Sequence, residues 1–224
     1  MLVINNHPSW NAFLTDEIIS KLEKIENEIG DDYTPSKENI LRFMRLDLAN
    51  VKVIIIGQDP YFQQGAANGR SFQPALLKSW DEPFRQVSLK NILRLIYKSY
   101  FDEKISYKED LSKNAFSKSP TDWFDSLEAQ GVLFLNMYLT CQIGHPNSHR
   151  HIWGDFVTKV IRYIEEKQNV IWFLWGAEAN SCAPFIKGQI YSSNHPMMCG
   201  TNNPKDFLKS ECFLKTKNII NWLG

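Results

Sequence analysis

None of the four cysteines, Cys141, Cys182, Cys199 and Cys212, stands in a CxxC pair. A zinc or iron–sulfur centre therefore has no spaced ligand set, and no metal is expected. Free thiols in a reducing cytoplasm, or in a nucleus if the cell is eukaryotic, are the expectation. No apolar run approaches the roughly 20 residues that a membrane span needs, so no membrane partner is expected. The opening residues Met1-Leu2-Val3-Ile4-Asn5-Asn6-His7 lack the basic region and cleavage site of a signal peptide. Neither sign of charge is in excess: 25 basic and 25 acidic residues give a formal net charge of +0. That excludes a protein that coats nucleic acid through counterion release alone, and leaves a local basic face open. The last residues carry Lys205, Lys209, Lys215 and Lys217 against Asp206 and Glu211, a mild bias of that kind. No Pro/Gly/Ser-rich linker, internal repeat or low-complexity tract divides the 224 residues. One domain covering 1–224, long enough for a substantial core, is the expectation.

The most informative stretch is Val51-Lys52-Val53-Ile54-Ile55-Ile56-Gly57-Gln58-Asp59-Pro60-Tyr61. Its β-branched run reads as a buried parallel strand over about 51–56, ended by Gly57 and Pro60. An amide, a carboxylate and a phenol are thereby set at the carboxyl end of a core strand, the edge at which open α/β sheets bind ligands. A plain strand-to-helix turn with Asp59 as N-cap fits the same residues. A glycine-rich phosphate loop is missing after this strand, which disfavours a Rossmann-type nucleotide binder.

Residues 15–29 show helical spacing through Ile18, Leu22, Ile25 and Ile29. Ser36 precedes a second expected helix carrying Ile40, Leu41, Phe43 and Met44, and Ser88 is expected to cap a third through Leu89, Ile92, Leu93 and Ile96. Residues 101–122 read as a charged, irregular surface excursion. Three further strands are predicted: Val132–Leu135 ending at Asn136, Val170–Trp175 ending at Gly176, and Gln189–Ser193 ending at Asn194-His195-Pro196. An amphipathic helix with Phe156, Val160, Ile161 and Ile164 lies between the second and third of the four strands. This order predicts a three-layer α/β/α fold around a central four-stranded, parallel, twisted sheet. Asp59, Asn136, Gly176 and His195 would then meet at one sheet edge, around a site for a small polar ring or an acid–base reaction.

The segments Gly57 to Tyr61, Gly69 to Phe72, Ser88 to Ile92, Gly131 to Asn136, Asn147-Ser148-His149, Leu174-Trp175-Gly176 and His195-Pro196 occur in an order and spacing similar to those of one family. From about residue 36 to 222 the chain resembles family 1 uracil-DNA glycosylase. The resemblance implies a monomer that acts on uracil-containing DNA in base excision repair, without metal or cofactor. It would hydrolyse the N-glycosidic bond of deoxyuridine, release uracil and leave an abasic site, after extruding the nucleotide from the stack. It implies that Asp59 positions water and stabilises the oxocarbenium-like sugar. His195 would stabilise the uracil anion as a neutral donor. Asn136 would pair with uracil N3–H and O4 and reject cytosine, whose pattern is reversed. Tyr61 would exclude the thymine methyl, Phe72 would stack on the base, and Gln58 would add polar contacts. Ser88, Gly176, Pro196, Met197, Met198 and Cys199 would face the DNA, and His149 would make structural hydrogen bonds or help at the DNA surface.

Four features depart from the family. Phe62 stands where the family usually has histidine. Met197-Met198-Cys199-Gly200 replaces a loop that carries a phosphate-contacting serine and a leucine wedge; Cys199 takes the leucine's place, while a methionine is the better apolar wedge unless both pack beneath the loop. Ala177 replaces a second serine, and the segment between Ile96 and Gly131 is longer. The base pocket is kept and the DNA clamp is altered. Single-stranded or mispaired uracil is therefore the expected preference, and a DNA-mimic inhibitor protein that seizes the wedge should bind weakly. The alternative is a glycosylase-like DNA-binding or scaffolding protein with weak or altered base specificity.

Overall fold

The computed structural model describes every residue except 1, 3, 102–115, 117 and 201. Its first helix, α1 (Asp16–Ile29), starts on Thr15, whose hydroxyl accepts from the Ile18 amide, and stops at Gly30 with φ +69°. Four strands form the central sheet: β2 (Val53–Gly57), β3 (Val132–Asn136), β5 (Ile171–Trp175) and β6 (Gln189–Ser193). They are parallel in the order β3-β2-β5-β6, as the sequence predicts. The chain leaves β2 toward β3 and returns past it to β5. The strand order therefore reverses between β2 and β5, and a crevice opens above their carboxyl ends.

Alternation along the strands separates the two faces. Ile54, Ile56, Leu133, Leu135, Trp172 and Leu174 pack with α1 and α4 (Arg150–Lys167). Val53, Ile55, Val132, Phe134, Phe173 and Trp175 pack with α2 (Val87–Phe101), α3 (Pro120–Ala129) and α6 (Cys212–Thr216). A two-stranded antiparallel ribbon, β1 (Tyr33–Thr34) with β4 (Cys141–Gln142), lies outside this sheet. The sequence reading did not anticipate it.

Three expectations need correction. No α-helix follows Ser36; the chain makes two 3-10 turns, Lys37–Asn39 and Arg42–Arg45. Ile40, Leu41, Phe43 and Met44 are all buried, as one face of a helix would also bury them, but the chain leaves the helical region at Leu41, with φ −100° and ψ 29°. Ser88 is not a cap, because α2 already begins at Val87. The stretch 101–122 is not wholly irregular: α2 runs to Phe101, and Ser119 caps α3, its hydroxyl accepting from the Asp122 amide. The rest of that stretch lies mostly outside the described residues.

A buried ion cluster ties the crevice wall to α3. Arg70 is 4% exposed. It donates to Asp125 Oδ1 at 2.6 Å, to Glu128 Oε2 and to Gln73 Oε1 at 3.0 Å. Arg42 reaches the same Glu128 at 3.4 Å. Arg70→Met is expected to destabilise the fold by about 3 kcal/mol, at the low end for a broken buried pair because Arg42 still faces Glu128. Denaturant melts check this; a loss under about 1 kcal/mol refutes it.

Candidate active site

The strand register sets the back of the crevice. Gly57 ends β2 opposite Asn136 at the end of β3. After this pair the chains stay zipped, Met137 N donating to Gly57 O at 2.9 Å and Tyr138 N to Gln58 O at 2.9 Å. Asn136 is 3% exposed, and its Oδ1 is buried without a hydrogen-bond partner. A buried carbonyl in that state is costly unless a donor arrives. Gly57 leaves room for it: a Cβ there would lie 2.3 Å from Asn136 Oδ1.

Asp59 sits half-buried in the turn after β2, and its Oδ2 accepts from the Asn147 amide at 2.8 Å. Burial raises its carboxyl above the ordinary value. The Asn147 amide and its own backbone oppose that shift, and the negative charge of Glu178 adds to it. Gln58 donates through Nε2 to Asn147 Oδ1. Tyr61 donates its hydroxyl to Phe72 O at 3.2 Å, and burial keeps that phenol protonated. Phe72 has φ +63°, and its ring lies 5.6 Å from Trp175 and 6.3 Å from His195 between centroids. Ser71 beside it donates to Ile55 O at 3.2 Å, pinning this wall to β2.

His195 follows β6. Met197 N donates to its Nδ1 at 3.2 Å, so the proton of the neutral ring is on Nε2. Burial lowers its pKa, favouring that neutral form. Gly176, at the end of β5, lets the ring approach: a Cβ there would lie 3.0 Å from His195 Cβ. Asn91 of α2 donates to Pro196 O at 2.7 Å and secures the loop. Ser88 lies one turn before Asn91 on the same helix face. Cys199 turns back, its thiol donating to Pro196 O at 2.9 Å. Met197 and Met198 are 60% and 62% exposed, so they do not pack beneath the loop.

Gln58, Asp59, Asn136, Gly176 and His195 thus lie at or just beyond the carboxyl ends of the strands, with Phe72 in contact with both Tyr61 and His195. His149 is 8% exposed and bonds through Nδ1 to Thr140 Oγ1 at 2.9 Å, which is its structural alternative. His151 lies in the first turn of α4. The sequence reading gave Asn147 no role of its own, because its contact to Asp59 is made by a backbone amide. It also missed Asn91, Trp175 beneath Phe72, and Glu178, which accepts from the Tyr138 hydroxyl at 2.6 Å and pairs with Arg150 at 3.2 Å.

Residues 43–219 match the family model described as the uracil DNA glycosylase superfamily. A uracil-DNA glycosylase of Streptococcus sanguinis is 31% identical over 97% of this chain and 99% of its own length. One from Mycoplasmopsis pulmonis is 31% identical over 99% of this chain and 96% of its own. Among solved structures, the UNG of Nitratifractor salsuginis superposes with a TM-score of 0.72 at 22% identity, covering 96% of this chain and 92% of that one. A mimivirus UNG variant in complex with UGI gives 0.67 at 23% identity over 86% and 70%. These two structural likenesses bear on the fold.

Proposed function

The chain belongs to the uracil-DNA glycosylase superfamily, and from that premise we propose how its side chains divide the work of excising uracil from DNA. The reaction hydrolyses the N-glycosidic bond of deoxyuridine, releasing uracil and leaving an abasic site for repair. Positive charge builds on the sugar and negative charge on the base, so each needs a preorganised opposite. Asp59 supplies the anion beneath the sugar. Its Oδ2 is committed to the Asn147 amide, which leaves the other oxygen to orient water. His195 offers its Nε2–H to uracil O2 while staying neutral.

The observation that carries the base assignment is the orphaned Asn136 carbonyl. Uracil N3–H supplies the donor it lacks, and the amide NH2 answers O4. Cytosine would bring a lone pair to that carbonyl and an NH2 to that donor, leaving buried groups mispaired. Tyr61, held by its bond to Phe72 O, stands against C5 where thymine carries a methyl, and Phe72 stacks on the ring. Release of free uracil from a deoxyuridine oligonucleotide tests this reading, with Asp59→Asn and His195→Leu as controls. No release by the unaltered protein overturns the reading of this chain as an enzyme.

We extend the proposal to how DNA is held. Met197 and Met198 act as the wedge, Ser88 and Gly176 face the backbone, and the protein works as a monomer; Pro196, expected to face DNA, is buried with its carbonyl taken by Asn91 and Cys199. Methionine is a flexible wedge, and extruding a paired base costs a few kcal/mol more than an unpaired one. Single-stranded uracil is therefore expected to be cut fastest, then U·G, then U·A. Alanine at both 197 and 198 should widen the gap between single-stranded and U·A substrates by about tenfold or more. Comparable initial rates on all three substrates refute the preference, and an unchanged ratio in the double variant refutes the wedge. The same loop lacks the leucine that a DNA-mimic inhibitor grips, so weak inhibitor binding belongs to this reading.

A further inference from the structure

The loop between β4 and α4 meets the catalytic turn at three points. Gly144 N donates to Phe62 O at 2.9 Å, Asn147 N donates to Asp59 Oδ2 at 2.8 Å, and Asn147 Oδ1 accepts from Gln58 Nε2. One residue thus holds both the sugar-facing carboxylate and the base-facing amide. Its backbone adopts φ +65°, one of two non-glycine residues among those described to do so. Glycine, asparagine and aspartate tolerate that region, whereas β-branched residues do not. The Asn147 side chain is exposed, so packing does not explain the conformation. It is held from both sides instead: Ser148 Oγ accepts from Gln142 N at 2.7 Å, and Arg150 N donates to Asn147 O at 3.1 Å.

We propose that Asn147 is a positioning residue whose left-handed backbone aims its N–H at Asp59 and whose side-chain carbonyl sets the rotamer of Gln58. The proposal rests on the roles given above to those two residues. Asp59 would otherwise rotate freely about its side-chain torsions, and a carboxylate with one oxygen fixed presents the other in a single direction. Preorganisation of this kind acts on turnover more than on DNA affinity. The titratable groups in electrostatic reach of Asp59 are Glu178 on α5 (Ala177–Asn180), the Tyr138 phenol and the Cys141 thiol. Glu178 is itself paired with Arg150. A carboxylate added at position 147 would join this set from the opposite loop.

The test is a series at position 147, assayed on single-stranded deoxyuridine oligonucleotide with melting temperatures recorded. Asn147→Gly keeps the backbone region and the N–H that holds Asp59 but loses the carbonyl that holds Gln58, so kcat should fall by about five- to tenfold. Asn147→Val leaves the left-handed region and swings the N–H away; kcat should fall about a hundredfold with KM little changed. Asn147→Asp keeps the backbone and adds charge, so the acid limb of the pH–rate profile should move up by about half a unit or more. An Asn147→Val variant with unaltered kcat overturns the proposal, as does an Asn147→Asp variant with an unmoved acid limb. If the valine variant fails to fold, the aspartate profile decides alone. Asp59→Asn separates the two levels: an active variant overturns the role of Asp59 and the proposal with it. An inactive one leaves the Asn147 series to decide the proposal by itself.

Discussion

Replacing Asp59 by asparagine is expected to slow uracil release by about a thousandfold and to make the protein more heat-stable at neutral pH. The substitution keeps the shape and an oxygen for the Asn147 amide, and removes only the charge. The rate falls because nothing then answers the positive sugar. Stability rises for the reason that the carboxylate is useful: it is partly desolvated. Burial holds its folded-state pKa above the unfolded value, so the folded protein binds that proton more tightly. Its contribution to stability is therefore full below the unfolded pKa and is lost as pH rises through the folded one. At neutral pH the anion is a net cost, which asparagine removes; in acid the advantage shrinks. Melting curves of both proteins at pH 7.5 and near pH 4 check the sign. On the role proposed for Asp59, activity is expected to run the opposite way and to fail as acid protonates the carboxylate. His195, with its pKa lowered, stays neutral below the usual imidazole range. A variant retaining more than about a tenth of the rate, or less stable at neutral pH, contradicts the assignment.

Gly57→Ala is expected to lower kcat/KM by about a hundredfold and to cost about 1–3 kcal/mol of stability. The added methyl would meet Asn136 Oδ1 at 2.3 Å and Ser71 Cβ at 2.6 Å. Neither yields cheaply. Asn136 is held in the sheet register, and Ser71 is 1% exposed and bonded to Ile55 O. Either the amide turns away from the base or the Phe72 wall retreats, and both lose uracil. Inhibition by free uracil should weaken in parallel, while affinity for an oligonucleotide without uracil stays the same. Unchanged kcat/KM in a folded variant removes Asn136 from base recognition.

Strands β2, β3 and β5 were legible because parallel strands buried on both faces must be continuously apolar, and each ends in a polar turn; β6, an edge strand of mixed burial, showed itself through Ile190-Tyr191 and the His195-Pro196 that follows. Asp59, Asn136 and His195 stood out as polar groups at the ends of such runs. The segment 37–45 misled because Ile40, Leu41, Phe43 and Met44 are spaced as one face of a helix, whereas the backbone breaks at Leu41 into two 3-10 turns. Helix α3 hid among charges, although Ser119-Pro120 ahead of Trp123, Phe124 and Leu127 carries its start and its face. The ribbon of β1 and β4 is two residues a side, too short for any periodicity. Asn147 could not be read at all as a partner of Asp59, since a peptide N–H is the same in every residue but proline.

One consequence of the Gly57–Asn136 register concerns fidelity under change. In the proposed division of work, the choice of base rests on the spacing of two neighbouring backbones and the grip on DNA on surface loops. Under that proposal, drift in Met197, Met198 or Ala177 is expected to alter how often a damaged site is captured while the accepted base stays the same. On that footing, a lineage would be free to shift between duplex and unpaired DNA without starting to attack its own cytosines.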